Sequence, residues 1–370
     1  MSGKIVLKDM SLEGLTEFFV SLGEKPYRAR QVFRRLMNGA ASWDEMTDLP
    51  LGLRERLGEL ATVDCLRVRD IAVSRIDGTR KYLFETADGL YIETVLMEYF
   101  YGYSLCVSSQ AGCRMGCGFC ASGRLGLARN LMAGEIADQY ILCERDVRTG
   151  FGDTDVASAS HVNYVKHKDD EGKPRIGHIV VMGVGEPFDN YDNVMTFLKN
   201  VTDPQGRNLG RRQITVSTCG LVTGMRRFMN DLPQANLSLS LHAPNDEIRR
   251  RLMPVAASSG VDELIAFARE YSETTGRRFS FEYALFAGVN DSVACADELA
   301  DKLAGGGFHV NLIPANPVPG LGYEAPGRRE VTVFAERLIA RGVRTTTRRE
   351  LGADIAAACG QLISERIAKE

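Results

Sequence analysis

The sequence lacks long apolar runs and a strong excess of charge of either sign. No run of about eighteen apolar residues occurs in its 370 residues, so a membrane-spanning helix is not expected. The first residues, MSGKIVLKDMSLEGL, contain no basic start followed by a continuous apolar stretch, so secretion is not expected either. The 45 Lys and Arg and the 48 Asp and Glu give a net charge of −3. This excludes a uniformly basic surface for nucleic acid but allows local basic patches.

Cysteine, in contrast, is abundant, with nine residues in the chain. Without a secretory start, nine thiols indicate a reducing compartment, and we therefore expect a cytoplasmic protein. In that setting, clustered Cys residues more often bind metal or carry out redox chemistry than form structural disulfides. The composition, 44% hydrophobic and 25% charged, is that of a folded globular protein, which excludes an intrinsically disordered chain.

Changes of pattern divide the chain into four regions. Apolar residues at helical spacing, as in LTEFFVSL and RARQVFRRLM, predict an N-terminal helical domain. Alternating β-rich runs with turn pairs at Asp77-Gly78 and Asp88-Gly89 then predict a small antiparallel β extension. The predicted regions are the helical domain at 1–62, the β extension at 63–103, a βα region at 104–350 and a C-terminal segment at 351–370.

The third region alternates short strand patterns with helical stretches. Six strands are predicted, in SLCVSS, HIVVMG, QITVST, ANLSLSLH, FSFEYALF and HVNLIPAN. Consecutive βα units place their strands in parallel, so the fold class is α/β with a sheet that is open or closed into a barrel. The polar, Gly-rich stretch Thr149–Lys173 is expected to be a surface insertion.

The motif CRMGCGFC places Cys113, Cys117 and Cys120 on one loop after the first of these strands. Three thiolates at this spacing can bind three irons of a [4Fe–4S] cluster and leave the fourth iron open to a cofactor. A zinc site is the alternative, but structural zinc takes four ligands, and no nearby Cys or His pair has the usual spacing. We therefore favour the cluster.

Glycines and polar residues follow several strands at their C-terminal ends. Barrels and open α/β sheets bind their ligands at that edge. Gly185 and Glu186 follow HIVV, where a glycine lets a ligand approach the backbone and a carboxylate can accept from an amine. The other candidates at this edge are Ser217, Ser240, Leu241, His242, Asn311 and Asn316. Each alone also fits a polar residue satisfied within the core; their common edge favours ligand binding.

The Cys triad, with Phe119 before its last Cys and βα repeats behind it, resembles the radical S-adenosylmethionine superfamily. With MGVGEP, SLHAPND, NLIPANP, DIAAACGQL and the N-terminal GEKPYRARQVF, most of the chain resembles the bacterial adenine-C2 RNA methyltransferase family. The resemblance implies a partial (β/α)6 TIM-like barrel, the radical SAM core, with an N-terminal helical domain and a small antiparallel extension. Two residues depart from the family pattern: Ser122 stands where a threonine is typical, and Ala356 where an acidic residue is frequent.

The resemblance also implies the cofactors and the catalytic residues. S-adenosylmethionine, two molecules per turnover, would methylate Cys359 and, on the open iron of the cluster, yield a 5′-deoxyadenosyl radical. That radical would take a hydrogen from the S-methyl group, and the carbon radical would add to adenine C2. Glu93 is then the expected base for the C2 proton, and Cys106 the thiol that releases the product by forming a disulfide with Cys359. Without the resemblance, Glu93 also fits the solvent-exposed face of a hairpin. Cys106 and Cys359 likewise fit small side chains buried in the core.

The implied partners are 23S rRNA, tRNA and an external reductant for the cluster and the disulfide, and we expect a monomer. RNA contacts must come from local basic patches, each of which also fits a solvated helix face. The N-terminal patch is favoured, because cations around an aromatic side chain can hold phosphate and stack on a base. The candidates are Lys25, Tyr27, Arg28, Arg30, Arg34 and Arg35 in that patch, then Arg211 and Arg212, Arg249 to Arg251, and Arg348 and Arg349.

Other functions stay open at this level. A related adenine-C8 methyltransferase, which confers antibiotic resistance, shares the same Cys residues, although Glu186-Pro187 favours C2. A noncatalytic iron-sulfur RNA-binding protein would leave Cys106 and Cys359 unexplained. A radical activase or a small-molecule enzyme would act on substrates other than RNA.

Overall fold

The N-terminal region is helical, as predicted. The computed structural model describes residues 3–150, 172 and 174–362. Its first elements are β1 (Ile5–Val6), α1 (Leu12–Ser21), α2 (Pro26–Met37), α3 (Leu51–Leu60) and β2 (Ala61–Thr62). The Ser11 hydroxyl caps α1 by accepting from the backbone N–H of Gly14. Pro26 opens α2, where its missing N–H leaves no helical hydrogen bond unmade.

Three antiparallel strands follow the helices, namely β3 (Arg67–Val73), β4 (Arg80–Glu85) and β5 (Tyr91–Tyr99). Gly78 and Gly89 lie in their turns with φ of 76° and 85°, a region that suits glycine. The sequence predicted a separate small sheet, but β5 pairs antiparallel with β6 (Gly102–Val107). The extension is therefore continuous with the parallel sheet, and β5 covers the edge that β6 would otherwise leave unpaired.

The rest of the chain supplies the parallel part of the sheet. The further strands are β7 (Gln110–Cys113), β8 (Gly126–Asn130), β9 (Ile176–Val181), β10 (Ile214–Thr218), β11 (Asn236–Ser240), β12 (Ser280–Leu285), β13 (His309–Pro314) and β14 (Arg344–Thr347). Ten of the described strands form one open sheet in the order β14-β13-β12-β11-β10-β9-β6-β5-β4-β3, while β1 with β2 and β7 with β8 form two separate two-stranded sheets. From β6 to β14 every pair is parallel. The α/β class with a partial barrel is confirmed.

Helices cover the outside of this sheet. They are α4 (Ala121–Arg124), α5 (Ala133–Arg148), α6 (Tyr191–Thr202), α7 (Val222–Asp231), α8 (Asp246–Leu252), α9 (Val261–Thr275), α10 (Val293–Leu303) and α11 (Arg328–Ala340). One continuous apolar cluster runs from Leu7 and Phe19 in the N-terminal region to Leu312 and Val343 near the end of the sheet. The N-terminal helices thus share the core of the barrel.

Two expectations concern what lies outside this core. The proposed insertion at Thr149–Lys173 lies outside the described residues at 151–171 and at 173. Among the described residues, no helix is long and apolar enough to cross a membrane.

Candidate functional site

The three motif cysteines lie on one loop at the open end of the barrel. Cys113 ends β7, and Cys120 directly precedes α4. The loop is held by backbone hydrogen bonds from Cys120 N to Cys117 O (3.1 Å) and from Gly118 N to Leu252 O (2.9 Å). All three thiols are half-buried and line the same cavity, which we call the triad cavity.

The chemistry of this loop fits an iron-sulfur cluster. Burial raises the pKa of the Cys113 thiol to about 11 and that of Cys117 above its usual range, so binding of metal must displace their protons. Among the residues that the structure describes, no three His, Cys, Asp or Glu side chains converge on a single metal ion. A cluster does not require such convergence, because each thiolate binds a different iron.

The triad cavity, of about 180 Å³, lies at the C-terminal ends of strands β9 to β13 and collects most of the predicted ligand-binding residues. Its lining includes Gly185, Glu186, Ser217, Ser240, His242 and Asn316 together with the three cysteines. Ser217 and Ser240 end neighbouring strands, and their hydroxyl oxygens are 3.5 Å apart. Leu241 does not line the cavity, because its side chain is fully buried in the core. Asn311 instead lies in an adjoining polar cavity.

Glu186 is buried and already well bonded. Its Oε1 accepts from the Thr218 hydroxyl at 2.7 Å and from Phe188 N at 3.1 Å, and its Oε2 accepts from Cys219 N at 2.8 Å. Burial raises the pKa of this carboxyl and these hydrogen bonds lower it. The protein therefore fixes the carboxylate in place, with lone-pair capacity left for one more donor.

His242 is held as a neutral ring. It is buried, and its Nδ1 accepts from Ala284 N at 2.9 Å, which leaves the proton on Nε2. Burial and the nearby Arg249 guanidinium lower the pKa of His242 to about 3. Phe119 packs edge-on against the ring at 5.1 Å, so His242 presents an uncharged N–H donor near the triad loop.

A second cavity, the thiol cavity, brings Cys106 and Cys359 together. Cys106 lies on β6 and is buried, whereas Cys359 lies in the C-terminal segment and is exposed. Both line this cavity of about 440 Å³. Cys359 also lines the triad cavity, as do Met182, Asn316 and Arg348. Cys359 thus lies where the two cavities meet, although it comes 239 positions after Cys120 in the printed sequence.

The C-terminal segment is tied to the triad loop. The carbonyl of Gly360 accepts from the backbone N–H of Ala121, the residue after Cys120, at 2.9 Å. The Ser122 hydroxyl donates to Leu362 O at 3.1 Å, and Asn316 Nδ2 donates to Cys359 O at 3.1 Å. Ser122 therefore still reaches the segment although it departs from the family pattern.

Arg348, a candidate RNA contact, is half-buried and lies against three side chains. Its Nη1 lies 3.7 Å from Cys359 Sγ, its Nη2 lies 3.6 Å from Met182 Sδ, and its Nε lies 3.7 Å from Glu282 Oε2. It directly follows β14, a strand that the sequence analysis missed because its residues are Arg and Thr at the sheet edge rather than apolar. The β-branched run TTT was the available signal.

Glu282 is a further residue that the sequence analysis missed. It is buried in the middle of β12, where its Oε1 accepts from Ser238 Oγ at 2.8 Å and from Asn311 Nδ2 at 2.9 Å. Its Oε2 has no hydrogen-bond partner within the described part of the chain. A carboxylate inside an apolar strand pattern, FEYAL, was the signal, since a buried charge needs a partner.

Glu93 is buried, not on the wet face of a hairpin. Only 3% of the residue is exposed. Its Oε1 lies 3.2 Å from Lys81 Nζ, and its Oε2 has no partner among the described residues. Burial raises the pKa of Glu93, and Lys81 opposes that rise. Glu93 does not itself line the thiol cavity, but Val95, on the same face of β5, does.

The basic patches differ in accessibility. Arg249, predicted as an RNA contact, is only 1% exposed, because its guanidinium donates to the carbonyls of Cys219 (2.6 Å) and Leu241 (3.2 Å). That prediction is wrong for Arg249. In the N-terminal patch, Lys25, Tyr27, Arg30 and Arg34 are exposed. Arg28 and Arg35 are partly engaged with Asp48.

Comparisons with known proteins agree with this arrangement. Residues 5–63 match a family described as the ribosomal RNA large subunit methyltransferase N-terminal domain, and residues 107–303 match the radical SAM superfamily. The first family covers the N-terminal helices, and the second covers the barrel with the triad loop.

Relatives match over nearly the whole chain. A probable dual-specificity RNA methyltransferase RlmN of Pelotomaculum thermopropionicum is 47% identical, over 97% of this chain and 91% of that protein. The corresponding protein of Alkaliphilus oremlandii is 44% identical, over 97% of both chains. The crystal structure of a radical SAM methyltransferase from Sphaerobacter thermophilus superposes with a TM-score of 0.87 at 41% identity, over 96% of this chain and 98% of that one. The chain therefore belongs to the RlmN family of dual-specificity RNA methyltransferases within the radical SAM superfamily.

Proposed function

We propose that this protein methylates C2 of adenosine in 23S rRNA and in tRNA, at the adenosine 3′ of the anticodon, with Cys359 as the methyl carrier. The position of Cys359 carries the proposal, because its side chain lines both the triad cavity and the thiol cavity. One side chain can therefore reach a cofactor on one side and a substrate base on the other. The RNA methyltransferase names of the relatives supply the substrate class.

The residues of the triad cavity fit the cofactors that this function needs. Cys113, Cys117 and Cys120 would hold a [4Fe–4S] cluster, and the strand-end lining around Glu186 and Ser240 would hold S-adenosylmethionine. When bound, these groups supply a methyl group and the means to remove a hydrogen atom from an unactivated C–H bond. Two molecules of S-adenosylmethionine are needed per turnover, along with an external reductant.

Within this proposal, Arg348 and Asn316 position the methyl carrier. Asn316 binds the carbonyl of Cys359, while the Arg348 guanidinium lies beside its sulfur. Glu282 in turn fixes Arg348 from the opposite side. Because Cys359 is exposed and lies on an irregular segment, these contacts keep its sulfur between the two cavities.

Glu93 is the proposed base for the C2 proton. Its raised pKa brings the carboxyl closer to neutral pH, as suits a general base. Its unpartnered Oε2 is free to accept a proton. Lys81, which donates to the carbonyl of Ala356 as well as pairing with Glu93, links this base to the segment that carries Cys359.

Cys106 is the proposed resolving thiol. The carbon radical carried by Cys359 bonds to C2, and the adduct then loses one electron, which an oxidised cluster held by the triad would accept, and the C2 proton, which Glu93 would take. The Cys106 thiolate then attacks Cys359 Sγ. A bond forms between the two sulfurs, the bond between Cys359 Sγ and the transferred carbon breaks, and that carbon takes up a proton to become the methyl group. An external thiol then reduces the disulfide.

Substitution of the two thiols tests this proposal. Cys106→Ala should accumulate a covalent protein-RNA adduct, visible as a shifted band that nuclease digestion removes. Cys359→Ala should retain iron and sulfide but form neither adduct nor methylated base. Cys295→Ala, at a buried thiol on α10 remote from both cavities, is the matched control and should turn over normally. Normal turnover by Cys106→Ala would contradict the resolving role.

Glu93→Gln separates the base from the thiols. The variant keeps the size of the side chain but cannot take a proton, so adduct should form and persist even with Cys106 intact. Lys81→Met controls for loss of the ion pair. An unchanged yield of methylated base from Glu93→Gln would remove this residue from the mechanism.

A further inference from the structure

Three consecutive aromatic residues occupy the tip between β5 and β6. We call Tyr99, Phe100 and Tyr101 the aromatic tip. The rings of Tyr99 and Tyr101 stack nearly parallel, with centroids 4.9 Å apart and an interplanar angle of 7°. Phe100 meets Tyr101 edge-on at 5.1 Å. The tip is therefore one contiguous aromatic surface.

Two residues of the aromatic tip border the thiol cavity. Tyr99 and Tyr101 line that cavity together with Cys106 and Cys359. Val95, further along β5, pairs in register with Cys106 on β6, so the same hairpin leads from the tip to the resolving thiol. Anything that enters the thiol cavity from this side passes the aromatic rings.

Phe100 contacts the ring of Tyr101 but is otherwise exposed to solvent. At 73% it is the most exposed large hydrophobic side chain among the described residues. A single exposed apolar residue needs no explanation, but this one extends a stacked aromatic pair at a cavity. Its free ring offers an additional surface for a planar ligand.

The rings are held before any ligand binds. Tyr101 also packs edge-on against His178 at 4.9 Å, and the Tyr99 hydroxyl donates to Met97 Sδ at 3.6 Å. Gly102 closes the turn with φ of 124°, which a larger residue would adopt only with strain. A preordered surface loses little conformational entropy on binding.

Positive charge lies beside the rings. Arg348 and the exposed Arg349 line the same cavity as Tyr99 and Tyr101. Aromatic faces next to a guanidinium match an unpaired nucleotide, whose base stacks while its phosphate pairs with the cation. An apolar protein segment would gain nothing from Arg349.

We propose that the aromatic tip is a stacking platform for an unpaired nucleotide of the RNA substrate, next to the adenosine whose base enters the thiol cavity. This inference rests on the proposed function for the identity of that adenosine. Phe100 and Tyr101 supply the stacking faces, and Arg349 pairs with the adjoining phosphate.

Fluorescence of 2-aminopurine tests the platform directly. The probe is an RNA stem-loop with 2-aminopurine in place of each nucleotide flanking the target adenosine in turn, titrated with the reconstituted protein. Stacking on the tip should quench one of the two positions. Phe100→Ala and Tyr101→Ala should lose that quenching and raise Kd by about 5-fold to about 150-fold, whereas Phe100→Tyr, which keeps the ring, should retain both.

Ile339→Ala is the matched control, since Ile339 is an exposed apolar residue on α11, and its Kd should stay within about 2-fold of the parent. Arg349→Gln should lower the salt dependence of binding by about 0.7 in log–log slope. If Phe100→Ala and Tyr101→Ala keep the parental Kd and quenching, the platform is absent, and the tip then serves another ligand.

The fluorescence assay measures RNA binding without turnover. Its result can therefore contradict the stacking platform without contradicting the proposed methylation, and the reverse. Quenching that depends on the tip, in a protein that yields no methylated adenosine, would overturn the reaction and uphold the platform. Methylated adenosine, together with RNA binding that does not depend on the aromatic tip, would uphold the reaction and overturn the platform. As a further readout, a true platform raises KM for RNA in Phe100→Ala more than it lowers kcat.

Discussion

At the residue scale, the buried thiol of Cys106 predicts a pH-dependent release step. Burial raises its pKa to about 12, with the neighbouring Cys359 adding to the rise and Arg348 opposing it. At neutral pH the reactive thiolate is therefore the minor form, and its fraction grows about tenfold per pH unit below the pKa. We expect a covalent protein-RNA adduct to release its RNA faster at pH 9 than at pH 7. Samples from a single turnover, stopped at successive times and separated on denaturing gels, give the rate of release.

The control is the covalent adduct trapped on Cys106→Ala, incubated in the same two buffers. This adduct should persist at both pH values. Equal rates at pH 7 and pH 9 for the parent adduct would show that deprotonation of Cys106 does not limit release.

The contact between Arg348 and Cys359 gives a second residue-scale prediction. Arg348→Met removes the guanidinium that lies 3.7 Å from Cys359 Sγ, so the sulfur should be placed less well for methyl transfer. Loss of one charged hydrogen bond corresponds to about a tenfold or greater slowing of S-methylation, measured by mass spectrometry of the Cys359 peptide without RNA. Arg344→Met, on the exposed strand β14, is the control. A parental rate in Arg348→Met would remove Arg348 as a positioning residue.

Sequence motifs located most of these residues but not their environments. The cysteine spacing identified the triad, and the strand-end pattern identified the lining around Glu186 and His242. The burial of Arg249 and Glu93 could not be predicted, because it depends on contacts with Cys219, 30 positions before Arg249, and with Lys81 on the neighbouring strand β4. A charged residue in a short pattern looks exposed until its partner is known.

At the element scale, the C-terminal segment depends on the turn between β3 and β4. Asp77 Oδ2 accepts from Gly352 N, and Asp354 Oδ2 accepts from Arg75 N, both at 2.9 Å. Although burial opposes the shift for Asp77, these and nearby hydrogen bonds lower the pKa of both carboxyls. Their contribution to docking is therefore full above the ordinary Asp pKa and is lost as pH falls through the lowered values.

Asp77→Ala should loosen this segment without unfolding the barrel. Amide hydrogen exchange should accelerate across residues 352–362, and S-methylation of Cys359 should fall. Asp70→Ala, at an exposed position on β3, should leave both unchanged. Unaltered exchange in Asp77→Ala would show that the contact between Asp77 and Gly352 does not hold the segment.

Helices and strands whose apolar residues recur at a regular spacing were predictable from the sequence, and those without such a spacing were not. The strands and helices of the βα units follow the pattern because one face of each packs on the core. In contrast, β14 reads RTTT and is mostly exposed, so its pairing with β13 comes from backbone hydrogen bonding at the sheet edge. The spacing of apolar residues carries no information about such a strand, and only its β-branched threonines do.

At the scale of the whole molecule, a buried ionic network joins the N-terminal region to the barrel. Lys8 Nζ pairs with Asp138 of α5 and lies 3.0 Å from Asp64 Oδ1. Arg145, also on α5, holds Asp64 Oδ2 at 2.6 Å. The side chains of Lys8 and Asp138 are at most 1% exposed, so each is the other's main compensation for burial.

Lys8→Met should therefore lower the free energy of unfolding by about 3–5 kcal/mol, because it leaves a buried carboxylate without its counter-charge. Urea denaturation measures this, with Lys25→Met at an exposed site as the control. The double variant Lys8→Met with Asp138→Asn, which removes the charge but keeps an oxygen to accept from the backbone N–H groups of Cys65 and Leu66, should recover part of the loss. A loss below about 1 kcal/mol for Lys8→Met, the level of surface pairs, would contradict the structural role of this network.

The sequence predicts a helical domain at 1–62, and in the folded chain one apolar cluster joins its helices to the barrel. The boundary near residue 62 is a change of pattern along the chain, and pattern does not reveal which surfaces pack together. For the same reason, no motif predicts that the segment carrying Cys359 binds beside Ala121, directly after the triad loop.

Mass spectrometry of nucleosides tests whether the protein methylates C2 of adenosine through Cys359. The reconstituted protein is incubated anaerobically with reductant, S-adenosylmethionine and protein-free 23S rRNA or tRNA, and the RNA is digested. We expect 2-methyladenosine from the parent protein and none from Cys359→Ala. Formation of 8-methyladenosine, or of 2-methyladenosine by Cys359→Ala, would contradict it.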